Sequence, residues 1–423
     1  IPIFIDGDET FCNGSSTPLS VPADPAATYC WQGWQSVGDP GFTPYDAAEI
    51  DLAVDGTTPY ISYQDFLPAG KNITVRKWTG SEWEAVGNPG IINRQQGQSV
   101  DVSRLAFVNG VPHVAYTLSA RANVVKFEGG AWMQVGPPNF SPGNIGQLNL
   151  VNGGGNLYIA YEDWSNGNKA TVLRFDGADW VAAGNSLTVS AGHVFNLNLV
   201  FSDNVLYTAF TENNKITVKK LDNGDWTPVG NEEFNGGIAA AMKLALDGSI
   251  PYVAYRDPNN GNQGVVMKFD GTNWILVGNA GFTGEITLYT DLVVRNGIPY
   301  FAFRDANFKT SVIKFENGSW QNVGSRGLSL GSTSFTSLAT DGDALYLAYQ
   351  DIASAFDATV MKYSLNPECL SITESLNVSQ TGVYNVLVTK NSNTTVSEPK
   401  AVQALIVTPA VRIVSDAPGN SIA

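Results

Sequence analysis

Apolar and polar positions alternate in short runs along most of the chain, and each run stops at a Gly, Asn or Asp turn. Residues 105–136 show the unit. LAFVNG reads as a short strand ending in a turn, VPHVAYTL as a second, NVVKFEGG as a third closing on glycine, and AWMQVG as a fourth. Period-two alternation of this length predicts strands, and no stretch shows the 3.6-residue spacing of an amphipathic helix.

The unit recurs. WQSVG at Trp34 is followed by WEAVG at Trp83, WMQVG at Trp132, WVAAG at Trp180, WTPVG at Trp226, WILVG at Trp274 and WQNVG at Trp320. These tryptophans are spaced 49, 49, 48, 46, 48 and 46 residues apart. Four short strands per repeat, joined by tight turns, predict the blades of a β-propeller. Within the second strand a small residue recurs as Ser62, Ala115, Ala160, Ala209, Ala254, Ala302 and Ala348. Aromatic columns flank it, with His113 standing where the other repeats have Tyr. Small residues let twisted sheets approach, and the flat rings give them packing surfaces. A basic column runs through the third strand as Lys77, Lys126, Arg174, Lys220, Lys268, Lys314 and Lys362, and is read as structural. The last repeat, SFTSLATDG–ALYLAYQD–ATVMKYSLN, has no tryptophan strand, while WQSVG at residues 34–38 has no blade before it. The expectation is an all-β chain with a seven-bladed β-propeller over residues 34–365, its N-terminal strand closing the last blade. Closure removes free sheet edges.

Residues 1–33 and 366–408 alternate as sandwich strands do, and each is too short for its own core. They are expected to form one β-sandwich split by the propeller. Cys30 directly precedes the propeller and Cys369 directly follows it. A Cys30–Cys369 disulfide would staple the stem, and Cys12–Cys369 is the alternative pairing.

Composition narrows the function. With 24 basic against 39 acidic residues, the net charge of −15 disfavours nucleic-acid phosphates as a partner. No apolar run approaches the roughly 18 residues that span a membrane. Only two His residues leave little material for a His-based triad or a zinc site. The chain begins at Ile1 without Met or an apolar leader, so any targeting peptide is expected to have been removed or to lie elsewhere.

The chemistry-bearing positions cluster at one end of the second strands. Asp65, Asp163, Glu212, Asp257, Asp305 and Asp351 form an acidic column that only Leu118 breaks. Such carboxylates suit a ligand ring for sugar hydroxyls or a cation such as calcium. They equally suit caps on their own turns. Trp164, Arg256 and Arg304 break the symmetry beside them, and the long loops add Tyr45, Arg94, Gln95, Gln96, His193, Phe195, Phe234 and Tyr289. An exposed aromatic beside Asp and Arg fits carbohydrate stacking and hydrogen bonding. The ligand-binding expectation therefore falls on Asp65, Asp163, Trp164, Arg256, Asp257, Arg304, Asp305 and Asp351. No catalytic residue is assigned; Glu212 and Glu285 are the two ligand-face glutamates to test for a hydrolase or lyase.

FCNGSSTPLSVPADPAATYCWQ and SLNVSQTGVYNVLVTKNSNTTVSEPKAV carry a resemblance. They look like the start and end of an Ig-like repeat of giant secreted surface proteins of Bacteroidota. The matching positions are Phe11, Cys12, Gly14, Ser16, Tyr29 and Trp31, then Gly382, Tyr384, Val386, Val388 and Thr389. The cysteine that family carries after the Gly-x-Tyr strand is absent from NSNTTVSE. Residues 409–423 look like the first strand of a next repeat. The resemblance implies an extracellular, cell-surface adhesin segment of the kind exported by type IX secretion, as in gliding motility. Its propeller would be held out from neighbouring Ig-like repeats and would bind glycans or surface polymers. A spacer or protein-docking platform is the alternative. The Gly-x-x-Trp-x-x-Val-Gly rhythm is also similar to secreted bacterial propeller lectins, whose Arg-Gly-x-Asp-Asn element is not found here. The sialidase Ser-x-Asp-x-Gly-x-Thr-Trp signature is absent as well.

Overall fold

The structure, a computed structural model, describes residues 3–12, 16–68, 70–93, 95, 97–365, 369–390 and 393–405. Six self-contained, four-stranded antiparallel sheets follow one another along the chain. The first is built from Ala47–Asp55, Thr58–Asp65, Asn72–Trp78 and Trp83–Ala85. The sixth is built from Leu288–Arg295, Ile298–Arg304, Thr310–Glu316 and Ser319–Asn322. Their first strands pack side by side around a central cavity.

The seven-bladed expectation is corrected here. Six sheets are separate four-stranded blades, and the remaining repeat does not form a separate one. Its three strands, Thr333–Thr340, Ala344–Asp351 and Asp357–Ser364, belong to an eight-stranded sheet. The physical reason lies in Thr28–Ser36. Its last residues, Gln35 and Ser36, pair with Lys362 and Met361. Residues 28–35 pair with Gly382–Lys390. One continuous strand thus serves two partners, and its sheet runs on through Lys400–Leu405 to Thr10–Cys12. A smaller sheet of Asp6–Gly7, Thr17–Ser20 and Ser375–Val378 covers a second core with Leu19, Trp31, Val378, Tyr384, Val386 and Val402. The Cys30–Cys369 disulfide is formed at the base of this region. Residues 406–408, the segment 409–423 and the side chain of Cys12 lie outside the described residues.

The Trp-x-x-Val-Gly motif has a direct physical explanation. Every motif tryptophan except Trp226 donates its indole N–H to the valine carbonyl of the neighbouring motif. Trp83 Nε1 lies 2.7 Å from the Val37 oxygen, Trp132 2.8 Å from Val86, and Trp274 2.8 Å from Val229. The glycine that follows each valine makes room for the ring. At Gly38 (φ +76°) an added Cβ would sit 2.7 Å from Trp78 and 3.2 Å from Trp83. Trp34 closes the circle by donating to the Val323 oxygen at 2.7 Å. In WVAAG, alanine stands where the valine would be, and among the described residues the buried indole N–H of Trp226 in the next motif has no partner. The basic column pairs locally: Lys126 with Glu128 at 2.6 Å, Lys314 with Glu316 at 2.7 Å. His113 is buried and bonds the Val111 carbonyl, and burial lowers its pKa.

Candidate functional site at the channel mouth

Every first strand carries a β-bulge at the same place, near the face where the second strands end. The bulged residues adopt left-handed backbone although none is glycine. They are Glu49 (φ +48°), Val102 (+53°), Gln147 (+43°), Asn196 (+52°), Ala241 (+50°), Tyr289 (+47°) and Phe335 (+51°). Each such residue costs about 1 kcal/mol or more, which the surrounding sheet must offset. All but Val102 line the central cavity of about 330 Å³. The ring is uneven: Glu49, Gln147 and Asn196 are polar, whereas Tyr289 and Phe335 are aromatic.

Two residues further on, a polar layer ties most of these strands to their neighbours. Asp51 accepts from the Leu105 N–H at 2.7 Å and Asp291 from the Leu338 N–H at 2.8 Å. Asn149 donates to the Leu197 carbonyl and Asn198 to that of Met242. Lys243 lies 3.5 Å from Asp291. Burial raises the pKa of Asp51, and the nearby Arg104 charge works against that rise. These groups are engaged in stitching the ring, which leaves the bulge layer above them as the candidate surface.

Tyr289 sits at the centre of an exposed cluster. Its ring is 5.6 Å from Phe335, and the Arg304 guanidinium lies over it at 4.8 Å. Arg304 also lies over Phe308 at 5.3 Å and donates to the Thr333 carbonyl at 3.1 Å. Among the described residues its buried Nε has no partner. Tyr289 is 38% exposed and Phe308 56%. A second cluster lies across the ring. Trp164 and Phe195 are exposed, and the His193 ring lies 4.2 Å from that of Phe195, tilted by 42°. The Glu162 carboxylate bonds His193 Nε2 at 3.1 Å. Gly146 leaves the floor open between Glu162 and the Trp164 indole, where a Cβ would lie 2.5 and 2.9 Å from them.

The acidic column is placed differently from these clusters. Asp65 is fully buried and takes a hydrogen bond from Thr74 at 2.7 Å. Asp163 caps a short 3-10 turn at Ser165, Asp257 caps one at Asn259, and Asp351 caps one at Ala353. Asp305 accepts from the N–H groups of Asn307 and Lys309 and from the Ser311 hydroxyl. Burial raises the pKa of Asp65 and Asp351. These carboxylates do not converge. Among the described residues no group of three or more His, Cys, Asp or Glu side chains is placed to hold a metal ion. Glu212 is held by the Gly192 N–H, and Glu285 by Arg326 and the Ala306 N–H. Arg256 precedes its capping aspartate as Arg304 does, and among the described residues its buried Nε has no partner. Arg94 and Gln96 lie outside the described residues. Sequence reasoning missed Glu162, Phe308, Phe335 and the bulge ring as a whole. The one available signal was that the residue two before each Asp51-type position varies freely between repeats.

A pH signature belongs to this face. Asp357 accepts weakly from Thr43, at 3.4 Å. Burial, with the Asp46 charge nearby, pushes its pKa up to about 6. A carboxylate raised in the folded state binds protons better there than in the unfolded chain. Its stabilising contribution is present at low pH and is lost as pH rises through about 6. Asp357→Asn should therefore raise the thermal midpoint near pH 7.5 by about 2 °C, discounted for solvent screening. The gap to wild type should narrow near pH 5. Differential scanning calorimetry at the two pH values checks this, and an equal gap at both rejects the assignment.

No protein-family model matches the chain, and no curated protein matches its sequence. Solved structures that it is similar to include β-propeller lectins. The Aleuria aurantia lectin, a six-bladed propeller with a fucose recognition mode, aligns at 15% identity and a TM-score of 0.44. That alignment covers 67% of this chain and 96% of the lectin. The SapL1 lectin in complex with α-methyl fucoside aligns at 12% identity and TM-score 0.42, covering 67% of this chain and 96% of its own. YCF48 from Cyanidioschyzon merolae aligns at 9% identity and TM-score 0.47, covering 79% and 98%. None of these likenesses supplies a residue to the clusters described above.

Proposed function

We propose that this chain is a non-enzymatic carbohydrate-binding propeller that takes glycans at the channel mouth. The observation that carries the reading is the Tyr289–Arg304–Phe308–Phe335 cluster. It offers stacking faces of the kind pyranose rings use, with a guanidinium fixed between two of them and polar Gln147 and Asn196 across the same cavity. Extracellular display on a surface protein of Bacteroidota, delivered by type IX secretion and serving adhesion or gliding, extends this proposal. Its support is the resemblance of the flanking segments to Ig-like repeats. Weak sites would then act through avidity along a longer chain.

The test is a glycan array with the whole chain, with fucosides among the probes because the SapL1 and Aleuria lectins bind them. Arg304→Ala and Tyr289→Ala should each weaken the best hit by about tenfold, a loss of roughly 1.4 kcal/mol. Asp257→Ala, on an aspartate that caps its turn, should leave binding unchanged. Silence across the array rejects carbohydrate binding and favours a spacer or protein-docking role.

A further inference from the structure

A second depression opens on the same face, at the seam where the first and last repeats of the propeller meet. Its volume is about 460 Å³. Phe66, Phe335 and Phe356 give it aromatic walls, and Asp46, Glu49 and Asp101 bring carboxylates to its edge. Among the described residues Lys71 is its one basic lining residue, and its ammonium already lies over the Phe66 ring at 4.6 Å. Two buried amides complete the lining. Gln64, 4% exposed, gives its Nε2 hydrogens to the Val100 carbonyl at 2.7 Å and to Asp101 at 3.1 Å. Gln350, 8% exposed, gives its own to the Ala47 carbonyl at 2.7 Å. Among the described residues, neither amide oxygen accepts a hydrogen bond. Gln64 thus spends its nitrogen on a main-chain carbonyl and the Asp101 carboxylate, Gln350 gives one hydrogen to the main chain, and both oxygens remain as acceptors beside the groove.

The chemistry of this lining is one-sided. Acceptors and negative charge outnumber donors, and aromatic faces surround them. A ligand that fits must bring hydrogen-bond donors and positive charge, since an ammonium gains from ring faces and carboxylates together. Among the described residues, the larger depression at the outer rim, about 760 Å³, has no charged side chain in its lining and lacks this character.

We propose that the seam groove binds a cationic amino sugar, with its free ammonium held by Glu49, Asp46 and the aromatic walls. The proposal rests on the carbohydrate reading and names a substrate class for it: glycans with unacetylated amines. Phe335 lines both the groove and the central cavity, so one oligosaccharide can run from the groove toward Tyr289.

The experiment is isothermal titration of the whole chain at about pH 6, where sugar amines are protonated. The probes are a glucosamine tetramer, its fully N-acetylated counterpart, and tri-lysine. The glucosamine tetramer should bind at least about tenfold more tightly than the acetylated one, and the advantage should shrink at high salt. Asp46→Asn/Glu49→Gln should remove that advantage, and Phe356→Ala should weaken the glucosamine tetramer by a similar factor. Circular dichroism checks that the variants remain folded. Equal affinity for the two tetramers, with Tyr289→Ala still weakening both, overturns the amino-sugar assignment and leaves the mouth site standing. Binding of tri-lysine alone overturns it in favour of a basic peptide. Failure of every sugar, here and on the array, overturns both readings.

Discussion

Replacing Trp34 with alanine should destabilise the protein by about 3–5 kcal/mol, the range for deleting a fully buried large aromatic. Trp34 has no exposed surface and packs with Tyr300, Val312, Leu328, Leu347 and Met361. It also reaches Val383 of the flanking region in the same core. Its indole N–H is bonded to the Val323 carbonyl, the link that joins the last repeat to the blade before it. The last repeat and that blade are joined by continuous chain through residues 323–332, as neighbouring blades are elsewhere. The Trp34 strand, however, comes from the other end of the sequence, so this packing, its pairing with Met361 and Lys362 and the Cys30–Cys369 disulfide must hold it in place. Trp132→Ala is the control, because Trp132 makes the equivalent bond to Val86 at 2.8 Å between covalently continuous blades. Urea unfolding should show the larger loss for Trp34→Ala, together with a broadened transition as the ring opens before its blades melt. Trp34→Phe should retain most of the packing and lose about 1 kcal/mol with the hydrogen bond. A Trp132→Ala loss equal to or larger than that of Trp34→Ala would contradict the closure role.

Removing the Cys30–Cys369 disulfide should be nearly as severe. The two cysteines are 339 residues apart, and the chain-entropy relation gives roughly 5–6 kcal/mol for so long a loop. Measured losses usually fall at about 2–4 kcal/mol, and that range is the expected result for Cys30→Ala/Cys369→Ala. The folded stem keeps other restraints: Leu370 N–H to the Trp31 carbonyl at 2.8 Å, Trp31 N–H to the Ser371 carbonyl at 3.0 Å, and the long pairing of Thr28–Ser36 with Gly382–Lys390. The bond therefore acts chiefly on the unfolded chain, where nothing else brings the two ends of the propeller together. Thiol titration in denaturant should show two new thiols on reduction, and the unfolding midpoint should fall under reducing conditions. A double variant as stable as oxidised wild type would show that the bridge contributes nothing.

The parts of the fold written in repeated residues were legible. The tryptophans, the valine and glycine that follow them, and the small residues of the second strand each do the same physical job in successive blades. The Cys30–Cys369 pairing was legible from its place on either side of the repeats. Blade organisation was not. TYCWQGWQSVG reads as a sandwich strand followed by a blade strand, whereas the backbone runs through as one strand whose halves have different partners. Such a change of partner leaves no mark in an alternating pattern, because both partners demand the same alternation. The site was half legible. Arg304, Trp164 and Tyr289 broke the repeat and do lie in exposed clusters. Asp163, Asp257, Asp305 and Asp351 recurred because each takes the backbone N–H groups of its own turn, and such a cap recurs for the same reason a tryptophan does; Asp65 is instead buried against Thr74. The bulge ring was hidden because left-handed backbone usually announces itself by glycine, and here Glu49, Gln147, Tyr289 and Phe335 hold it through the surrounding sheet.

The central claim is that carbohydrate is bound at the bulge layer of the channel mouth. A crystal structure of the chain with the best array ligand tests it most directly. The account predicts a sugar ring stacked on Tyr289 or Phe335, with its hydroxyls within hydrogen-bond distance of Arg304, Gln147 or Asn196. Sugar bound instead at the outer edges of the blades, with the mouth free of ligand, would contradict it.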